Sequence, residues 1–218
     1  LNIVSTDTRR LAMSGVPVFE SSDGVNALLP MKGIKEVQRI LSSLNSDSPV
    51  EILYDDAQFY FRAESLEFTV RRVESRFPAY EKILPKGHQT FVSLDRGNLI
   101  SALERVDVIV RDYNRMVVLD IVKGEVLVMR GKAPDFGQAM EEISAEITGD
   151  DLRIAVNSKF FMEALKVLRD PNVTLAFNGM SGHMAVKRVE TDSFLCLIAP
   201  INLSEEELNM DEMESSSK

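Results

Sequence analysis

Apolar residues recur at helical spacing in three places along the chain. Over residues 32–44 they are Ile34, Val37, Ile40, Leu41 and Leu44, and the polar run Asn45-Ser46-Asp47-Ser48-Pro49 stops the pattern. Residues 96–112 form a second predicted helix. Residues 157–170 form a third, with Phe160, Phe161, Ala164, Leu165, Val167 and Leu168 apolar. Asn157 is placed to cap its first turn and Pro171 to end it. Elsewhere the pattern alternates, as half-buried strands do. Val50, Ile52 and Tyr54 alternate before an Asp55-Asp56 turn, then Phe59 and Phe61, then Leu66, Phe68 and Val70. Further strands are predicted at 2–6, 90–94 and 151–156, and a hairpin at 116–122 and 125–129 turns on Lys123-Gly124. Residues 132–138 read as a loop and 140–148 as a possible strand. Val173, Leu175 and Phe177, then Met184 and Val186, then 194–198 close the set. In the first thirty residues, Ser14-Gly15-Val16-Pro17 and Ser21-Ser22-Asp23-Gly24 read as turns between short β-like runs.

The pattern repeats. Val50, Ile52 and Tyr54 match Val173, Leu175 and Phe177; Phe59 and Phe61 match Met184 and Val186; Phe68 and Val70 match Phe194 and Cys196. The offset drifts only from 123 to 126 residues, as one-residue loop insertions produce. A unit of strand, helix and three strands thus occurs at least three times, counting 90–148. Between repeats lies Arg76-Phe77-Pro78-Ala79-Tyr80-Glu81-Lys82-Ile83-Leu84-Pro85. Its two prolines exclude a continuous helix or an interior strand, and its apolar residues mark a packed connector rather than a solvated linker.

Charge changes this picture less than it first promises. The 218 residues carry a net charge of −9. Residues 204–218 hold six acids and one base, a charge of −5, which leaves −4 for the rest. That tail has the composition of a disordered, solubilising extension. A mildly acidic body still leaves room for a basic face. On the first helix Lys32, Lys35 and Arg39 lie within about 60° of one another, opposite the apolar stripe, at about 100° per residue. On the third, Lys159, Lys166 and Arg169 share a side, with Glu163 among them. Two repeat-related helices with the same basic stripe point to an anionic surface facing both. The second helix does not share the feature, since Arg96 and Arg105 lie on opposite sides.

Chemistry is sparse. His88 and His183 read as surface residues without metal-ligand partners at usable spacing. No phosphate loop or dinucleotide fingerprint occurs. Asp135-Phe136-Gly137 imitates a kinase signature without its companions. The single cysteine, Cys196, sits in an apolar run and fits a reducing cytoplasm. No nucleophile, base and orienting group can be assembled, so no enzyme, cofactor or metal is expected. The absence of Met at position 1 and a strand-like opening read as an N-terminally incomplete chain.

Four ordered motifs resemble the bacterial sliding clamp family, the β subunit of DNA polymerase III. They are Thr6-Asp7-Thr8-Arg9-Arg10-Leu11-Ala12; Arg76-Phe77-Pro78-Ala79-Tyr80 with Ile83-Leu84-Pro85; Asn157-Ser158-Lys159-Phe160; and Leu197-Ile198-Ala199-Pro200-Ile201-Asn202-Leu203. The resemblance implies an α+β DNA-clamp fold with helices on one side and antiparallel sheets on the other. It implies an incomplete middle domain with connector at 1–84, a last domain at 85–203 and the acidic tail beyond. It also implies a non-catalytic processivity factor in the cytoplasm, a homodimeric ring when full length. Such a ring slides on duplex DNA without reading sequence and holds the replicative polymerase, the clamp loader and other clients. The basic stripes would face the DNA.

Clients of that family insert short peptides with a Gln and a Leu-Phe pair. By motif, the groove would take Thr6, Thr8, Arg9, Arg10 and Leu11 from the middle domain and Pro78, Lys82 and Ile83 from the connector. From the last domain it would take Asn157, Phe160 and His183, then Leu197, Ala199, Pro200, Ile201 and Leu203. In this reading Leu11, Ile83, Leu197 and Ile201 line an apolar slot, with core packing the plain alternative for Leu11 and Leu197. The chain departs from the family in three ways. It has Thr8-Arg9 where Gly-His is usual, Ala199 and Ile201 around Pro200 where Met is usual, and an acidic tail where the family commonly stops near Leu203. A different class of function also fits: a peptide-binding adaptor of clamp fold that does not encircle DNA.

Overall fold

The order of elements in the computed structural model follows the predicted repeat. It opens with β1 (Asn2–Thr6), β2 (Arg10–Gly15), α1 (Met31–Leu41), β3 (Glu51–Tyr54), β4 (Gln58–Ala63) and β5 (Leu66–Arg71). A 3-10 turn, Tyr80–Lys82, lies in the connector. Then come β6 (Thr90–Asp95), α2 (Arg96–Val110), β7 (Met116–Ile121), β8 (Val126–Ala133), β9 (Gly137–Ser144) and β10 (Glu146–Thr148). The chain finishes with β11 (Leu152–Asn157), α3 (Ser158–Val167), β12 (Asn172–Phe177), β13 (Met184–Arg188) and β14 (Phe194–Ile198). Residues 1–20, 24–45, 48–189, 191 and 193–203 are described. The predicted turn at Ser21-Ser22-Asp23, part of the polar stop at Ser46-Asp47 and the acidic tail lie outside them. The chain divides into two compact units, Phe19–Leu84 and Leu1–Val18 with everything from Pro85 on.

The larger unit contains two repeats, β6-α2-β7-β8-β9 and β11-α3-β12-β13-β14. Each lends its first strand to the other. A four-stranded sheet runs β11-β7-β8-β9, and a seven-stranded sheet runs β1-β2-β14-β13-β12-β6-β10, with every pairing antiparallel. Because side chains alternate across a sheet, one face of each feeds the core. Val92, Leu119, Leu127, Val173, Leu175 and Cys196 from the sheets meet Leu99, Leu103, Phe161 and Leu165 from the helices there. The approach of α2 to β8 is close enough that a Cβ on Gly131 would fall 2.6 Å from Val106 Cγ1. The helices are also linked to each other: Lys166 Nζ donates to Glu104 at 3.0 Å, and the buried Ser158 hydroxyl donates to Asp107. The β1–β2 hairpin joins this unit through β2, which pairs with β14 over Ser14↔Phe194 to Arg10↔Ile198.

The smaller unit is a single helix on a three-stranded sheet, β3-β4-β5. Here Gly33 plays the part of Gly131, since its Cβ would meet Val70 Cγ1 at 2.6 Å. The extended residues before α1 are held by a bond from Val73 N to Leu28 O at 2.8 Å. A cavity of about 100 Å³ remains beside α1, lined by Val37, Ile40, Leu41, Phe61, Ala63, Leu66, Glu67 and Phe68. In the connector Phe77 and Tyr80 pack edge to face, with centroids 6.0 Å apart.

Several expectations need correction. Residues 132–138 are not a loop: Lys132 pairs with Gln138 and Ala133 with Gly137, so only Pro134, Asp135 and Phe136 turn. Gly137, at φ 83°, permits that tight turn, and polar side chains on a strand's solvent face had hidden the alternation. The kinase-like Asp135-Phe136-Gly137 is this turn. Ser14 and Gly15 are strand, since the hairpin turns earlier, at residues 7–9. The first helix stops at Leu41, where Ser42 and Ser43 hydroxyls bond back to Gln38 and Ile40 carbonyls at 2.7 and 2.6 Å. The third stops at Val167, which is exposed rather than apolar core; Leu168 is already extended at ψ 146°. His88 is not a surface residue but half-buried against Phe91, with Nε2 buried and unbonded.

Candidate functional site

The tip of the first hairpin is held by its own polar side chains. Thr6 Oγ1 donates to Arg10 O at 2.7 Å, and Asp7 Oδ1 accepts from the backbone N–H of Arg9 and Arg10 at 3.1 and 3.0 Å. This turn forces Thr8 to φ 72°, a left-handed conformation that a β-branched residue adopts only under strain. Exposed Thr8 and Arg9 are the two positions at which the chain departs from Gly-His.

Arg10 carries the turn to α3. Its Nε donates to Asp7 Oδ2 at 2.9 Å and its Nη1 to Glu163, while its guanidinium carbon lies 4.4 Å from the centre of the Phe160 ring. Phe160 and Glu163 are one helical turn apart, so one face of α3 offers a ring and a carboxylate together. Burial disfavours the Asp7 carboxylate, but hydrogen bonds from the Arg10 side chain and from two backbone N–H groups outweigh it and hold its pKa below the ordinary value. The predicted cap is formed: Asn157 Oδ1 accepts from Lys159 N at 3.1 Å and Phe160 N at 3.2 Å.

The end of β14 completes the arrangement. Leu197 pairs with Leu11 on one side and Ala185 on the other, so the three share a row across the sheet. Leu11 is 2% exposed and Leu197 not at all. These two residues are therefore packed, as the plain alternative held, rather than the open walls of a slot. Two positions further, Ala199 N donates to Arg9 O at 2.9 Å, and exposed His183 lies just before β13 opens at Met184, opposite Ile198. After half-buried Pro200 the chain turns onto the other sheet. Ile201 N donates to Ala155 O at 2.8 Å, and Ile201 and Leu203 pack on Met116, Val118 and Ala155.

So Thr6, Arg9, Arg10, Leu11, Asn157, Phe160, Leu197 and Ala199 are drawn into one neighbourhood, with His183 at its edge and Ile201 and Leu203 running out of it. Pro78, Lys82 and Ile83 belong to the smaller unit. There Pro78 and Lys82 are exposed, Lys82 ends the 3-10 turn and Ile83 is 41% exposed. Sequence reasoning missed Asp7 and Glu163 as partners of Arg10, and Ala185 as the neighbour of Leu197. The spacing of Phe160 and Glu163 was the available sign of the second. The other two follow only from turn geometry and register.

The basic stripes are partly neutralised. Lys32 and Lys35 are exposed on α1, whereas Arg39 Nε donates to Glu36 at 2.9 Å. On α3, Lys159 is exposed and Lys166 is held by Glu104. Arg169 lies beyond the end of the helix and so leaves the predicted stripe, although it too is exposed.

Two family models account for nearly all of the described chain. The model of the C-terminal domain of the DNA polymerase III beta subunit matches residues 81–202, and the model of its central domain matches residues 1–79. The chain belongs to the DNA polymerase III beta subunit family. A beta sliding clamp of Staphylococcus epidermidis is 27% identical over 198 residues, 90% of this chain and 52% of the relative. Among solved structures, the beta subunit of Thermotoga maritima superposes with a TM-score of 0.86 at 28% identity, over 93% of this chain and 55% of that one. A sliding clamp of Pseudomonas aeruginosa bound to griselimycin gives 0.87 at 27% identity, over 93% and 54%. The fold is thus the α+β clamp fold. The chain spans about half the length of the curated relatives it matches. The hairpin at 2–15 falls in the central-domain match, yet its β2 hydrogen-bonds to β14 of the C-terminal-domain match.

Proposed function

We propose that this chain is the client-docking part of a DNA sliding clamp, a non-catalytic processivity factor acting in the cytoplasm. The full-length protein would close as a homodimeric ring around duplex DNA and tether the replicative polymerase, the clamp loader and other clients to it. In this reading residues 1–84 belong to the middle domain and 85–203 form the last. The observation that carries it is the seating of Arg10 on Phe160 between Asp7 and Glu163, beside the Asn157 cap and the turn at Ala199 and Pro200. That neighbourhood sets a guanidinium stacked on an aromatic ring, with backbone polar groups beside it, at the rim of an apolar sheet row. A short peptide needs these to seat a Leu-Phe pair and hold a Gln amide. Pro78, Lys82 and Ile83 complete the assignment by motif. The rest of the reading is electrostatic: Lys32, Lys35, Arg39, Lys159, Lys166 and Arg169 would touch phosphates weakly, which lets a ring slide without reading sequence.

The test is a calorimetric titration of the chain with a peptide carrying Gln, Leu and Phe. The expected Kd is micromolar, about −8 kcal/mol. The same peptide with Leu and Phe replaced by Ala should not bind. Equal binding of both peptides, or of neither, would remove the assignment.

A further inference from the structure

The outer face of the four-stranded sheet carries three cations that the client site does not use, Arg130, Lys132 and Arg153, set among Asp120 and Glu142 on the same face. Register places its side chains. Ala155 pairs with Val118 and Val118 with Arg130, giving one row across β11, β7 and β8. Arg153 pairs with Asp120 in the next row, and Lys132 stands two residues beyond Arg130 on the same face of β8. Asp120, only 7% exposed, bonds both guanidinium groups: Arg130 Nε donates to it at 2.9 Å and Arg153 Nε donates to its other oxygen. One buried carboxylate thus stands between two arginines, with Lys132 a third cation on the same face. An open cavity of about 320 Å³ lies over them, lined by Asp120, Ile121, Val122, Val128, Arg130, Asp151, Leu152 and Arg153. Asp151, also in the lining, directs one oxygen to Lys123 N at 2.6 Å.

The end of the described chain is delivered to this face. Ile201 is bonded to Ala155, and Leu203 packs on the cluster of Met116, Val118 and Ala155. Val118 is the register partner of Arg130, and Ala155 is two residues from Arg153 on one side of β11. The sequence continues from Leu203 as Ser204-Glu205-Glu206-Glu207 and gains three more acids by Glu214. At about 3.3–3.6 Å per extended residue, three residues of chain span about 10 Å, roughly two strand spacings of about 4.8 Å.

We propose that the acidic segment 204–218 binds the Arg130–Lys132–Arg153 face of its own domain. The apolar anchor at Leu203 sets its point of departure, and tethering makes the pairing intramolecular, so modest contacts suffice. Binding there holds residues 199–203 down on Ala155, next to the neighbourhood of Arg10. The inference stands on this unit alone and does not depend on what the client site binds.

A spin label tests it. Cys196 is buried, and burial pushes its thiol up to about 11, so a Ser215→Cys variant of the whole chain takes a nitroxide at position 215 alone. The label should broaden the amide resonances of Val118, Arg130 and Lys132 more than those of β12 or β13. Replacing Glu205, Glu206 and Glu207 by Gln should reduce that broadening at least about twofold, as should about 0.5 M salt. Lys132→Glu, at an exposed position that leaves the Asp120 pairs intact, should act in the same direction. Broadening that is uniform over the domain would overturn the proposal. So would broadening of β7 and β8 that neither the Gln variant, nor Lys132→Glu, nor salt reduces.

Discussion

Thr8 shows what a single position adds to a family resemblance. The motif Thr6-Asp7-Thr8-Arg9-Arg10-Leu11 was legible as a string, and its threonine in place of glycine was visible as a departure. What could not be read was that the turn built by Asp7 and Thr6 holds residue 8 at φ 72°. A β-branched side chain there stores strain of about 1–3 kcal/mol. Thr8→Gly should therefore stabilise the chain, by about 1 kcal/mol once the greater freedom of glycine in the unfolded chain is set against the relief. A denaturant melt showing equal or lower stability would mean the strain is absorbed elsewhere. Arg10 was legible as a candidate, but its environment was not. Glu163 lies 153 residues away in sequence, and its spacing from Phe160 on the predicted helix was the sole sign of it.

At the scale of elements, periodicity located the helices and most strands, because burial on one face leaves a 3.6 or a 2.0 period. It could not foresee that β6 and β11 exchange sheets, since a lead strand carries the same pattern whichever sheet it joins. The setting of Leu197 comes instead from the β1–β2 hairpin, which extends the sheet past β14 and so makes β14 an interior strand. Leu11 and Leu197 are buried cross-strand neighbours, so Leu197→Asp places an unpartnered carboxylate among packed side chains. The expected outcome is loss of the cooperative melt by circular dichroism rather than a folded protein that fails to bind. A Leu197→Asp protein with an unaltered melt would show that the row is open after all. The end of α3 was misread for a related reason. Apolar Val167 continued the pattern, but Arg96 Nε donates to Asp170 O at 2.7 Å and Arg96 N to Pro171 O at 2.8 Å, which fixes the chain in an extended turn.

For the molecule as a whole, the basic stripes and the client site are separate claims. With Arg39 and Lys166 engaged by acids, the weight on α1 falls to Lys32 and Lys35. In the full-length ring, Lys32→Glu with Lys35→Glu should shorten retention on circular DNA. In a homodimeric ring the loss of four phosphate contacts, two from each protomer, should lower the salt slope by about 3.6. Retention unchanged at low salt would put the DNA elsewhere. The client site is tested most directly by mapping it. Addition of the Gln, Leu and Phe peptide to the isotopically labelled chain should shift amide resonances at 6–11, 157–163 and 197–203. The account predicts that set, saturating at micromolar peptide. Saturable shifts confined to α1 or β9, with residues 6–11 and 157–163 unmoved, would contradict it.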